Sequence, residues 1–248
     1  PFRLKKEITI DFGEHLTGYF SFSVRSTGLA ADGPLRFKLT FGEVPSEVAV
    51  SFDSYKEGLS RAWLQDEVVS VMYVPQTVTL PRRLAFRYIK IELLGSSPYY
   101  DFNIHDMKCM AQTSAKNIPE ELPQAVDPMI RKIDRVGLNT LKECMQTVYE
   151  DGPKRDQRLW IGDLYLEALG NNYSYKQYDL TKRCLYLLAG LSDLNGYLLA
   201  TVIENPVPRA QDKQFLYEYA LLYNVTLKDY LEATGDMETV KDLWPVAK

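Results

Sequence analysis

The sequence predicts a multi-domain chain, β then α: an antiparallel β-sandwich followed by packed helices. Three observations carry this reading. Apolar residues recur with a period of two from Glu7 to about Ala111. The periodicity vanishes between Thr113 and Asp127, where Pro119 and Pro123 fall. Beyond that point it returns with spacings of three and four.

The strands come first. Ile8, Ile10 and Phe12 alternate with Glu7, Thr9 and Asp11. Phe20, Phe22 and Val24 alternate with Tyr19, Ser21 and Ser23, and Leu35, Phe37, Leu39 and Phe41 with Arg36, Lys38 and Thr40. A further alternation runs from Phe86 to Leu93. Each run offers one face to a core and one to water. Asp32-Gly33-Pro34 and Gly95-Ser96-Ser97-Pro98 supply turn chemistry between them. Short strands with no helical pattern between them favour an antiparallel sandwich.

The helices follow. Asp127-Pro128 reads as an N-cap with proline at the first helical position. Ile130, Ile133, Gly137, Leu141, Cys144 and Val148 form the first apolar stripe. A second helix is expected to open at Asp163, a third to cover Leu180 to Leu191, and a fourth to run past Leu216 and Leu231 to Gly235. Asp236 opens a fifth, whose apolar face is expected to lack a partner, as in a truncated domain.

Composition narrows the function classes. The chain has 248 residues, of which 46% are hydrophobic and 25% charged, enough to build a core and to exclude long disorder. With 29 Lys and Arg against 33 Asp and Glu, no basic stripe marks a nucleic-acid partner. No run approaches the roughly 20 apolar residues of a membrane span. Cys109, Cys144 and Cys184 are widely spaced and imply neither a disulfide framework nor a zinc site. His15 and His105 lie far apart in β territory and suit surface positions, so no metal site is expected. The chain begins at Pro1 rather than Met, so the lack of a signal peptide says nothing of compartment.

The densest polar cluster is the loop from Glu150 to Asp163, Glu-Asp-Gly-Pro-Lys-Arg-Asp-Gln-Arg-Leu-Trp-Ile-Gly-Asp. Carboxylates and guanidinium forks can each bond two neighbouring hydroxyls, and an indole face covers the apolar side of a sugar ring. On spacing alone, a structural salt-bridge network fits better, with Asp163 as a helix cap and Trp160 in the core. Glu204, in Glu204-Asn205-Pro206, is a second loop carboxylate, and an exposed turn position suits it best. The sequons at Asn172 and Asn224 fall in expected helices and read as chance matches.

The order of residues in the loop resembles the active-site loop of bacterial α-L-rhamnosidases, glycoside hydrolase family 78. Ile10-Asp11-Phe12-Gly13 through Gly18 is similar to a strand pair of that family's β-sandwich, as are Phe41-Gly42-Glu43 and Phe86-Arg87-Tyr88-Ile89 to later strands. The resemblance implies a β-sandwich over 1–112, a linker over 113–126, and the first helices of an (α/α)6 barrel over 127–248. It implies an inverting hydrolase that cleaves terminal α-L-rhamnosyl residues from a rhamnose-containing oligosaccharide or glycoside. No cofactor is implied, and the setting is bacterial, periplasmic or secreted.

Carried over by position, the general acid falls on Asp156, four residues before Trp160 and seven before Asp163. Asp151, Arg155 and Asp163 then correspond to groups that hold sugar hydroxyls, and Trp160 to the apolar wall. The family's acid is commonly glutamate. An alternative register puts it on Gln157, whose amide cannot protonate a leaving group, and that would favour a binding-only or degenerate relative. A barrel hydrolase for another α-linked sugar also remains open. Arginines around the acid hold its pKa down, so burial against Trp160 must raise it. The general base is expected beyond residue 248, so these residues alone are expected to be catalytically silent. Their uncovered apolar stripes favour homo-oligomers or dependence on further chain.

Overall fold

The computed structural model describes residues 5–56, 58, 60–211 and 213–248. The chain divides into two compact units, Pro1–Gln112 and Thr113–Lys248.

The first unit is antiparallel throughout. Its strands are β1 (Glu7–Thr27), β2 (Leu35–Gly42), β3 (Asp66–Val71), β4 (Gln76–Thr79), β5 (Leu84–Gly95) and β6 (Asp101–Ala111), with a short helix α1 (Pro45–Ala49) after β2. They hydrogen-bond in the order β3-β2-β5-β1-β4, and β6 also pairs with β1. β1 pairs with three strands. It pairs with β5 as far as Gly18, with a register shift between Asp11 and Leu16, and from Gly18 onward it pairs with β6 and then also with β4. Gly13 takes φ +83° at that irregularity, and its N–H donates to Asp11 Oδ1 at 2.8 Å. The extra residues bend the strand and re-aim its side chains.

β1 contributes Phe20, Phe22 and Val24 to the core of this unit. Phe20, Phe22, Phe37, Phe41 and Phe86 are fully buried. Phe22 of β1 meets Phe37 of β2 edge-on at 6.1 Å, although the two strands are not neighbours in the hydrogen-bonded order. Phe41 meets Phe86 at 5.1 Å. Such edge-to-face pairs add to the burial of their area.

Two details depart from the sequence reading. α1 and two 3-10 turns, Phe52–Ser54 and Arg61–Trp63, interrupt a half expected to hold only strands. In β5, Phe86, Ile89 and Ile91 are all buried, so the strict alternation slips by one residue opposite the irregularity in β1.

The second unit holds α2 (Pro128–Cys144), β7 (Leu159–Trp160), α3 (Ile161–Tyr173), α4 (Tyr178–Gly190), β8 (Thr201–Ile203), β9 (Arg209–Ala210), α5 (Tyr217–Thr234) and α6 (Met237–Ala247). Asp127 caps α2 by accepting from the Met129 N–H at 2.7 Å. Gly235 closes α5 in the left-handed region at φ +72°, and Asp236 caps α6 through the Thr239 N–H at 3.0 Å. Among the described residues, no helix is long and apolar enough to cross a membrane.

Tyr149, Leu164, Cys184, Leu185 and Tyr223 are buried at the centre of this unit. Leu243 of α6 joins them, so the last apolar face does have a partner, contrary to expectation. The first stripe behaves oppositely. Cys144 and Val148 are buried, but Ile130 and Ile133 are 53% and 64% exposed. α3 begins at Ile161, with Trp160 in the N-cap position, so Asp163 lies inside the first turn and is not the cap.

Candidate functional site

The loop from 151 to 158 is closed by its two ends. The Asp151 N–H donates to the Arg158 carbonyl at 3.0 Å, and the Arg158 N–H returns to Asp151 Oδ1 at 3.1 Å. Inside, the N–H groups of Arg155 and Gln157 both donate to the Gly152 carbonyl at 3.2 Å. Gln157 sits at φ +52°, a strained setting for a residue with a Cβ. Its side-chain amide donates to the Pro153 carbonyl at 2.8 Å, so it turns back into its own loop.

The loop leads directly into β7. Leu159 and Trp160 pair with Val202 and Thr201 of β8, and β8 pairs with β9. This three-stranded patch, invisible to a reading of helices alone, fixes Trp160 at the head of α3. The Trp160 ring meets Tyr219 edge-on at 6.4 Å. Its Nε1 is shielded from solvent and has no hydrogen-bond partner among the described residues.

Of the residues named from the sequence, Asp151, Asp156 and Asp163 come within electrostatic reach of one another. Burial pushes the Asp151 carboxyl up to about 6, with the Asp156 and Asp163 charges adding and the Arg158 N–H opposing. Burial also raises Asp163, and the Asp156 charge adds to it. Arg155 Nε donates to Asp156 Oδ1 at 3.0 Å, while the Arg155 side chain itself is half exposed. Arg158 points elsewhere, donating to Gln211 Oε1 at 2.9 Å.

Glu167 was not named from the sequence. It lies one turn beyond Asp163 on α3, and its Oε2 is shielded and unbonded among the described residues. Burial holds its carboxyl well above the ordinary range, and the charges of Asp163, Asp151 and Glu150 reinforce this. The spacing of four from Asp163 was the available signal, hidden because Glu167 sits in an otherwise ordinary helix.

Glu204 corrects the expectation of an exposed turn. It is buried, accepting from Arg183 Nη2 and from the Thr147 hydroxyl, while Arg183 Nε donates to the Thr147 carbonyl at 2.8 Å. Its role is to bind α4, the turn before Glu150 and the end of β8 to one another. Among the described residues, no group of His, Cys, Asp and Glu is arranged to hold a metal ion.

Two family models match the chain. Residues 1–111 match the glycosyl hydrolase family 78 alpha-rhamnosidase N-terminal domain, and residues 124–248 the bacterial alpha-L-rhamnosidase 6 hairpin glycosidase domain. No curated protein matches it. Among solved structures, it is similar to a rhamnosidase from Klebsiella oxytoca with rhamnose bound, at 41% identity and a TM-score of 0.93. That alignment covers 97% of this chain and 47% of the other. A family 78 rhamnosidase of Bacillus sp. GL1 aligns at 20% identity and a TM-score of 0.75, over 97% of this chain and 23% of that one. An alpha-L-rhamnosidase from Dictyoglumus thermophilum aligns at 17% identity and a TM-score of 0.71, over 98% of this chain and 26% of that one. The last two show likeness of fold. The chain thus spans about half the length of the Klebsiella protein, and less of the others.

Proposed function

The chain belongs to glycosyl hydrolase family 78, the bacterial α-L-rhamnosidases with a six-hairpin glycosidase domain, and from that premise we propose that its whole protein hydrolyses terminal α-L-rhamnosyl residues with inversion at the anomeric carbon. Asp156 is the general acid that protonates the leaving oxygen. A carboxylate from a segment outside these residues activates water on the opposite face of the ring. Asp151, Arg155 and Asp163 hold the sugar hydroxyls, and Trp160 covers the apolar face.

The observation that carries this reading is that Asp151 and Asp156 of the loop and Asp163 in the first turn of α3 lie within electrostatic reach of one another, on the two sides of Trp160 in the chain. Burial, reinforced by the neighbouring charges, raises the carboxyls of Asp151 and Asp163, as a site that handles protons requires. The turned-in amide of Gln157 supports Asp156 over Gln157 as the donor. Rhamnose bound to the Klebsiella relative supports the choice of sugar.

The test is hydrolysis of an aryl α-L-rhamnoside by the full-length protein, beside aryl galactoside and glucoside, with the anomer first released read by NMR. Selective rhamnoside cleavage yielding the inverted anomer is expected. Asp156→Asn is expected to abolish turnover while rhamnose still binds. Undiminished turnover in that variant would remove Asp156 from the role, and cleavage of only another glycoside would replace the sugar.

A further inference from the structure

Beyond Trp160, the polypeptide builds a second recess that the acid loop does not use. It encloses about 450 Å³ and is lined by Tyr197, Leu198, Phe215, Leu216 and Tyr217, with Asp193 at its edge. Tyr197 and Tyr217 are 65% and 86% exposed, and Phe215 is partly exposed as well. Three aromatic side chains around one concavity offer flat apolar faces to a ring-shaped ligand.

The chain flanking the recess is tied to the site by hydrogen bonds. The Ile161 N–H, at the head of α3, donates to the Ala200 carbonyl at 3.0 Å, and the Ala200 N–H donates to the Gln214 carbonyl at 2.7 Å. Arg158 of the acid loop donates to Gln211, four residues before Phe215 of the wall. Tyr219, two residues past Tyr217, carries its ring against Trp160. The wall is also preorganised. Asp193 Oδ1 accepts from the N–H groups of Asn195 and Tyr197 at 2.9 and 2.8 Å, and Gly196 turns at φ +86°. The backbone at Tyr197 is therefore held by a closed turn before any ligand arrives, which reduces the ordering cost of binding.

We propose that this recess is the leaving-group subsite, which takes the ring attached to the rhamnosyl unit through the apolar face of that ring. The inference rests on the rhamnosidase reading. Tyr197 and Tyr217 form its platforms, and the chemistry they select is a flat ring with an exposed C–H or π face. Two sources offer that chemistry, the sugar next in an oligosaccharide and an aromatic aglycone.

The test compares kcat/KM of the full-length protein on methyl α-L-rhamnoside, phenyl α-L-rhamnoside and α-L-rhamnosyl-(1→4)-glucose, for the wild type and for Tyr197→Ala and Tyr217→Ala. The expected result is a fall of about tenfold in the ratio of the ringed substrate to the methyl one in both variants. A fall confined to phenyl identifies an aromatic aglycone, and a fall on the rhamnosyl-glucose identifies a sugar. Both support the subsite. Ratios that match the wild type overturn it while leaving the rhamnosidase reading intact. A wild type silent on all three substrates overturns that reading and this subsite with it. The variants lie on separate segments at exposed positions, so loss of folding in one leaves the other to decide.

Discussion

Asp151 and Arg158 exchange hydrogen bonds across the mouth of the loop, N–H to carbonyl in one direction and N–H to carboxylate in the other. The Arg158 N–H favours the charged form of Asp151, but burial outweighs it and pushes the carboxyl up to about 6. A carboxyl raised in this way binds its proton more tightly folded than unfolded. Its stabilising contribution is therefore full below about pH 4 and is lost as pH rises through about 6. Asn at 151 keeps the acceptor for the Arg158 N–H and removes the titration. Asp151→Asn is expected to gain on the wild type by on the order of 1–2 kcal/mol between about pH 4 and pH 7, after discounting for partial exposure. Urea unfolding of the helical unit at both pH values checks this. A difference that does not change with pH would refute it.

Gly18 sits where β1 leaves β5 and joins β6, opposite Ala111. A Cβ there would fall less than 3.0 Å from the Met110 carbonyl, a backbone atom that cannot swing aside. Gly18→Ala is expected to destabilise the β unit by about 3 kcal/mol, by forcing the two strands apart. Denaturant melts followed by strand-sensitive circular dichroism would show it. Retention of full stability would mean that the strands tolerate the separation.

Much of this architecture is legible in the sequence because each strand and helix repeats its own signal. Phe20, Phe22, Phe37 and Phe41 fall inside as alternation requires, and Asp127, Gly235 and Asp236 cap as their chemistry requires. What escaped is non-repeating. β7, β8 and β9 are two or three residues long and exist only because distant segments pair. The burial of Glu204 depends on Arg183 and Thr147, remote in sequence, and no local pattern announces them. The site loop was legible as residue types but not as geometry. Gln157 is drawn inward by Pro153, and Arg158 is taken by Gln211, contacts that spacing does not encode.

Glu204 supports both flanks of the loop from 151 to 158. It holds Thr147, just upstream of Glu150, and it follows β8, which pairs with Trp160 downstream. Removing the carboxylate strands Arg183, although half of that side chain reaches water and softens the penalty. Glu204→Ala is expected to cost about 2 kcal/mol in stability and to lower rhamnoside turnover, with Glu204→Gln intermediate in both. Thermal melts and kcat on the same preparations test the coupling. Turnover preserved in a destabilised variant would sever Glu204 from the positioning of the loop.

Gly162 separates the two effects that Glu204 mixes. It is the second residue of α3, and a Cβ there would lie less than 3.0 Å from the ring of Tyr219. That ring is the one packed edge-on against Trp160. Alanine favours a helix over glycine by up to about 1 kcal/mol, which offsets the strain of moving one side-chain ring. Gly162→Ala is therefore expected to melt within a few degrees of the wild type while its near-ultraviolet circular dichroism changes, as the Tyr219 ring leaves Trp160. If Trp160 is the wall of the rhamnosyl pocket, kcat/KM on an aryl α-L-rhamnoside falls about tenfold in the same variant. A changed spectrum with unchanged kcat/KM would take Trp160 out of the pocket. An unchanged spectrum would show that Tyr219 yields without disturbing it.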